Sequence, residues 1–246
     1  MGCNCVKALT NDTIIIDYDT RSNRNNRKTT SQNRTIKINS DSDDMNNRTA
    51  LRVDSPLIRK IRTEYNIDTF AIAMVNEFNL VRIKPITYIQ KIKSFMPYLK
   101  YDSQANKSYF DIPNMTKINL TKGKEAFDNT IDILNTVHNL EPLELRQDLA
   151  FPFPTESPQL CNNKDYITSN FLEMNKRLRD IYCIKGFHYD INISNPEYST
   201  LMQVIDDTNS NGQRRSQILD KDIKYVGINM GKVKGNLYCI YIVFAS

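Results

Sequence analysis

The C-terminal end of the chain places the strongest constraint on its fold. Lys224–Asn229 (KYVGIN) and Leu237–Phe244 (LYCIYIVF) are rich in β-branched and aromatic residues. A Gly-containing turn at Gly231–Gly235 separates them, which predicts a β-hairpin. Upstream, back to about Ile61, the period is helical. Phe70, Met74, Phe78 and Val81 recur at helical spacing behind Asp68 or Thr69 as a cap, and Pro85 ends or bends that helix before Thr87–Met96 resumes. A linker with a turn at Asp111–Asn114 follows. Further helices are expected over Lys124–Val137, Phe171–Tyr182 and Tyr198–Ile205, whereas Pro152, Pro154 and Pro158 keep Ala150–Pro158 from being helical. Helices first and a hairpin last give an α+β class, with helices layered on a sheet.

Residues 1 to 60 read differently. They are rich in Asn, Arg, Ser, Thr and Asp and bury too little apolar surface to offset chain entropy, so a mostly disordered tail precedes a domain at 61–246. Thr13–Asp19 and Thr35–Asn39 alternate like short strands that would pair together or dock on a sheet edge. The acidic cluster from Asp41 is not a calcium loop, because Asn46 stands where such a loop has Gly and Arg52 where it has Glu. Met1-Gly2 permits N-myristoylation of Gly2, and Cys3 and Cys5 are placed for S-acylation, although Val6 departs from the usual Ser or Thr. One acyl chain holds a membrane only marginally. The run Arg21, Arg24, Arg27, Lys28, Arg34 and Lys37, with no acid among them, offers a second signal toward an anionic surface.

Composition excludes several classes. A net charge of +5, from 33 basic and 28 acidic residues, is mild for a nucleic-acid binder, and no nucleic-acid partner is expected. No apolar run is long enough for a membrane span, and no apolar segment follows the first basic residue as in a secretory signal. The five cysteines are irregularly spaced and form no CxxC pair. With only His138 and His188 available, no zinc site or other cofactor is expected. Cys161, Cys183 and Cys239 read as reduced, buried or half-buried residues of an intracellular protein.

From about residue 65 onward a succession of motifs resembles the CAP superfamily, also called SCP/PR-1-like. Asn79, Arg82 and Pro85 form N-x-x-R-x-x-P at the end of a helix. KGKEAFDNTIDILNTVHNLEPLELRQDLA follows, then LMQVIDD, RRSQIL, and DIKYVGINMG with Gly227, before a final strand ending FA. The resemblance implies a three-layer α/β/α sandwich around a central antiparallel sheet. It also implies a cleft in which two histidines and two acids can bind a divalent metal. This chain departs from that cleft. Arg215 falls on the family's arginine, Arg214 on a cleft histidine, and Gln213 where Gly is usual. Guanidinium stays protonated and repels cations, so Arg214 makes the place at most an anion site. Glu156 lies near the place of the other histidine, after the FPFP interruption, and His188 lies near the place of a family acid within Gly186–Asp190. Asp206 and Asp207 match the family's I-D-D, with a cap or salt bridge to the Arg214–Arg215 loop as their expected role.

No phosphate loop, G-x-S-x-G elbow or His/Cys nucleophile arrangement is present. The leading expectation is therefore a non-catalytic CAP-like binding module, held at a cytoplasmic membrane face by an acylated N-terminus. The family's intracellular myristoylated branch implies anionic-lipid binding and a possible homodimer. One alternative is a cytoskeletal or ciliary component whose basic tail meets an acidic protein partner such as tubulin. The other is a metal-dependent hydrolase or lipid-binding CAP protein.

Overall fold

A computed structural model describes residues 67–246 apart from 114, 116, 192–194, 208–211 and 235–236. The expectations for Gly2, Cys3, Cys5, the Arg21–Lys37 run and the two strand-like patches lie outside the described residues.

Helix α1 (Ile67–Ile83) buries the predicted stripe of Phe70, Met74, Phe78 and Val81. Pro85 does not merely stop it: Pro85 is the first residue of α2 (Pro85–Phe95), where a missing N–H costs no hydrogen bond and the fixed φ suits the helix. The segment read as a linker is instead an antiparallel meander of β1 (Leu99–Asp102), β2 (Lys107–Phe110) and β3 (Ile118–Leu120). Its register aligns Leu99, Phe110 and Ile118 in one inward row. Each strand is too short for alternation to stand out in the sequence. The first turn is set by Asp102, whose Oδ1 accepts from the N–H of Gln104 at 2.9 Å and Ala105 at 3.1 Å.

Helix α3 (Lys124–Thr136) follows the expected bounds closely, and then comes the short β4 (Glu144–Leu145). Helix α4 (Lys164–Leu178) starts and ends before the predicted Phe171–Tyr182, because Asn163 caps it by accepting from Tyr166 N at 2.9 Å. Strand β5 (Ile184–Ile191) was not expected. Asn195 caps α5 (Pro196–Ile205) in the same way. The Arg214–Arg215 stretch, read as a loop, is α6 (Gln213–Ile218), with both arginines buried. Strand β6 (Tyr225–Lys234) runs straight through Gly231, correcting the turn expected at Gly231–Gly235, and pairs with β7 (Leu237–Ala245).

The larger sheet has the order β4–β6–β7–β5. The three long strands pair antiparallel, but β4 joins β6 in parallel, so the sheet is mixed rather than wholly antiparallel. β7 serves two cores. Ile240, Ile242 and Phe244 meet the apolar residues of α1, α2, α3 and α5 on one face. Cys239, Tyr241, Val243 and Ala245 meet Leu149, Phe151, Met174 and Leu178 on the other. Burial on both faces explains why β7 reads as a continuous apolar run.

On the second face the chain from Leu149 to Phe153 lies along β6. A Cβ at Gly227 would overlap the Leu149 carbonyl, and one at Gly231 would overlap the Phe153 ring. Between them Asn229 Nδ2 donates to Phe151 O at 2.8 Å. Gly227, Asn229 and Gly231 thus form a shallow track on one side of the strand.

Candidate functional site

The resemblance points to the place where β5, α5 and α6 meet, and its geometry begins at the end of α5. Asp206 closes that helix with φ 46°, a left-handed conformation that Asp tolerates better than most residues. Its Oδ2 then accepts from the N–H of Arg214 at 2.8 Å and of Arg215 at 3.4 Å. One carboxylate therefore fixes the first turn of α6 against the last turn of α5, in the capping role expected of it. Asp207 points elsewhere. Its carboxylate accepts from Thr121 N at 2.5 Å and Lys122 N at 2.7 Å, tying the end of α5 to the end of β3. Burial raises its pKa, opposed by those backbone bonds.

The two arginines divide their work. Arg215 Nη1 donates to Thr130 Oγ1 at 2.7 Å, Ile205 O at 3.1 Å and Val204 O at 3.3 Å, completing carbonyls left open where α5 ends. Arg214 Nη1 donates to Asp190 Oδ1 at 2.7 Å, and Gln203 on α5 donates its Nε2 to the other oxygen of the same carboxylate. Asp190 is 4% exposed and Arg214 9%. The position that the resemblance gives to a histidine is thus half of a buried ion pair. The guanidinium expected to offer an anion site is already matched by this chain's own carboxylate.

His188 lies two residues before Asp190 and shares its side of β5. Its Nε2 meets Gln217 Oε1 at 2.5 Å, and its ring stands edge-on to Phe244 with centroids 6.0 Å apart. Burial, and after it the positive charge of Arg214, pushes its pKa down to about 4, against the opposing pull of Asp190, Gln217 and Asp206. The imidazole is neutral at pH 7.

The remaining motif residues hold loops. Asn79 Nδ2 donates to Leu143 O at 3.0 Å and its Oδ1 accepts from Leu143 N at 2.6 Å. Arg82 donates from Nε to Glu141 O at 2.6 Å, from Nη1 to Ile218 O at 2.7 Å and Asp220 O at 2.9 Å, and from Nη2 to Ile223 O at 3.2 Å. The end of α1 therefore gathers the approach to β4 and the connection from α6 to β6. Gly227 belongs to the track beneath Leu149.

The structure brings Arg214, His188 and Asp206 together and turns Arg215 and Asp207 away to structural partners. Glu156 and His138 are both exposed. Sequence reading missed Asp190, Gln203 and Gln217. The alternation of His188 and Asp190 along a strand was the available signal, hidden because β5 itself was not expected. A second charged cluster was also missed. Lys91 on α2 reaches Glu77 of α1 at 2.6 Å and Glu197 of α5 at 3.6 Å, above the fully buried Tyr88. Burial, followed by those two carboxylates, raises the Tyr88 pKa. Among the described residues no three His, Cys, Asp or Glu side chains are grouped to hold a metal ion. No helix among them is long and apolar enough to cross a membrane.

The chain matches no protein-family model, no curated protein and no solved structure.

Proposed function

We propose that the described residues form a CAP-like three-layer α/β/α domain that acts as a non-catalytic binding module. In this reading the acylated N-terminus tethers it to an anionic cytoplasmic membrane face. The burial of both faces of β7 supports the layered arrangement. One observation carries the non-catalytic reading: Arg214 is spent on Asp190, with Gln203 holding the carboxylate from its other side. A guanidinium locked in a buried pair neither ligates a metal nor transfers a proton. It fastens α6 to the edge strand β5, so that the cleft position serves the scaffold. Binding then falls to other surfaces and to the tail.

Flotation with phosphatidylserine-containing vesicles tests both parts. Full-length acylated protein is compared with Gly2→Ala and with the pair replacement Arg214→Met/Asp190→Leu. Wild type and the pair replacement are expected to float and Gly2→Ala to remain in the soluble fraction. Equal soluble fractions for wild type and Gly2→Ala remove the tether. Loss of flotation by a folded pair replacement shows that the ion pair serves binding rather than the scaffold.

A further inference from the structure

The core on the second face of the sheet contains two reduced cysteines from distant parts of the chain, Cys161 and Cys239. Cys161 sits in a short 3-10 turn, Pro158–Asn162, and Cys239 near the start of β7. The Sγ of Cys239 lies 3.9 Å from the Cys161 carbonyl, which also accepts from Tyr241 Oη at 2.7 Å. Each thiol is also the largest single influence on the ionisation of the other. The third described cysteine, Cys183, has a different setting: it is half-buried, and its backbone exchanges both hydrogen bonds, at 3.0 Å, with Ser246.

We infer that Cys161 and Cys239 form an oxidisable dithiol, which a peroxide converts to a disulfide stapling the irregular Pro158–Asn162 turn to the central strand β7. The two thiols are not equivalent. Contact with Cys239 lowers the pKa of Cys161, whereas contact with Cys161, followed by burial, raises that of Cys239. Cys161 is therefore the attacking thiolate and Cys239 the resolving thiol.

The Cys161 thiolate attacks one peroxide oxygen and the O–O bond breaks. The departing hydroxide takes up the proton Cys161 has released, leaving a sulfenic acid and one water. The Cys239 sulfur then attacks the Cys161 sulfur and the S–O bond breaks. The departing hydroxide takes the Cys239 proton as a second water. Two thiols and one peroxide become one disulfide and two waters, each sulfur giving up one electron.

Burial sets the rate rather than forbidding the step. Cys161 is 1% exposed, but Gln159, Leu160 and Asn162 of the same turn are exposed, so opening this one turn admits the oxidant. The disulfide closes a loop of about 80 residues, long enough to restrict the unfolded chain strongly.

The full-length protein is treated with hydrogen peroxide while folded, blocked with N-ethylmaleimide and mapped by peptide mass spectrometry. The expected product links Cys161 to Cys239 within one chain and raises the thermal midpoint by about 10 °C over the reduced protein. Cys239→Ala is expected to stop at a Cys161 sulfenic acid that dimedone captures, with no rise in midpoint. Recovery of both thiols alkylated after oxidation overturns the inference. So does pairing of either with another cysteine, or an equal rise in the oxidised Cys239→Ala protein. The wild-type map decides the question even if that variant does not fold.

Discussion

Ile240, Ile242 and Phe244 on one face of β7 meet long helices, and the buried polar groups over that face include three arginines, Arg82, Arg214 and Arg215, each less than 10% exposed. Cys239, Tyr241, Val243 and Ala245 on the other face meet rings and an irregular chain. There Phe151 lies 4.8 Å from Tyr241 and 4.7 Å from Phe187, and the backbone from Leu149 to Phe153 runs over glycines. The two faces solve different problems. Above the first, helix ends and loops leave carbonyls without partners, and the guanidinium groups of Arg82 and Arg215 complete them, while that of Arg214 pairs with the Asp190 carboxylate. Against the second, an extended segment must come close to a strand, and removing side chains is what lets it do so. The first face should therefore fail by losing hydrogen bonds and the second by gaining volume.

Arg82 gives the largest expected difference. Replacing it with Met keeps much of the apolar stem but strips partners from the carbonyls of Glu141, Ile218, Asp220 and Ile223. The expected loss is about 4 kcal/mol of unfolding free energy, read as a lower midpoint in guanidinium chloride. Arg82→Lys should recover little, since one ammonium cannot reach acceptors spread around a planar fork. A loss below about 1 kcal/mol for Arg82→Met would mean that water replaces the guanidinium at those carbonyls, and the contrast between the faces would collapse.

A methyl group added to a glycine separates the faces more finely. At Gly227 the new Cβ meets the backbone carbonyl of Leu149, which cannot withdraw without moving the whole overlying segment. At Gly186 it meets the far end of the Gln217 side chain, which can swing aside. Gly227→Ala is expected to cost about 2 kcal/mol and Gly186→Ala less than about 1 kcal/mol. Equal thermal midpoints for the two variants would show that the Leu149–Phe153 segment gives way as easily as a side chain.

What the sequence made legible follows the same division. The stripe on α1, the bounds of α3 and the pairing of the last two strands came from apolar periodicity, which burial enforces directly. Asn79, Arg82 and Gly227 were marked by motif, and each proves to contact a backbone distant in sequence. Five elements, β1 to β3, β5 and α6, were not legible. β1 to β3 are too short to display a period, and β5 mixes Gly186, His188 and Asp190 with Phe187 and Tyr189. α6 buries two arginines beside Ile218, and no hydrophobicity pattern marks a guanidinium as interior. Asp190 stayed hidden for that last reason too: its burial depends on Arg214 and Gln203, which only the folded chain brings to it.

His188 offers the gentlest test, because it changes charge without changing the packing at pH 7. Its ordinary pKa is near 6.5 and its folded value about 4, held down by burial and Arg214. Between those values the unfolded chain binds a proton that the folded chain refuses, so stability falls as the pH drops through this window and is unaffected above it. From pH 7 to pH 5 the loss attributable to His188 is about 2 kcal/mol. The groups facing the imidazole at this junction are Arg214, Asp190, Asp206 and Gln217. Asp207, whose folded pKa is raised, acts in the opposite sense, since acidification relieves its buried charge. In His188→Gln the component from His188 disappears while the one from Asp207 stays. Denaturant unfolding of both proteins at pH 7 and pH 5 should show the wild type losing more stability on acidification than the variant. Equal losses would mean that the imidazole takes up its proton in place, and that the Arg214–Asp190 pair leaves more room and more water around β5 than its burial implies.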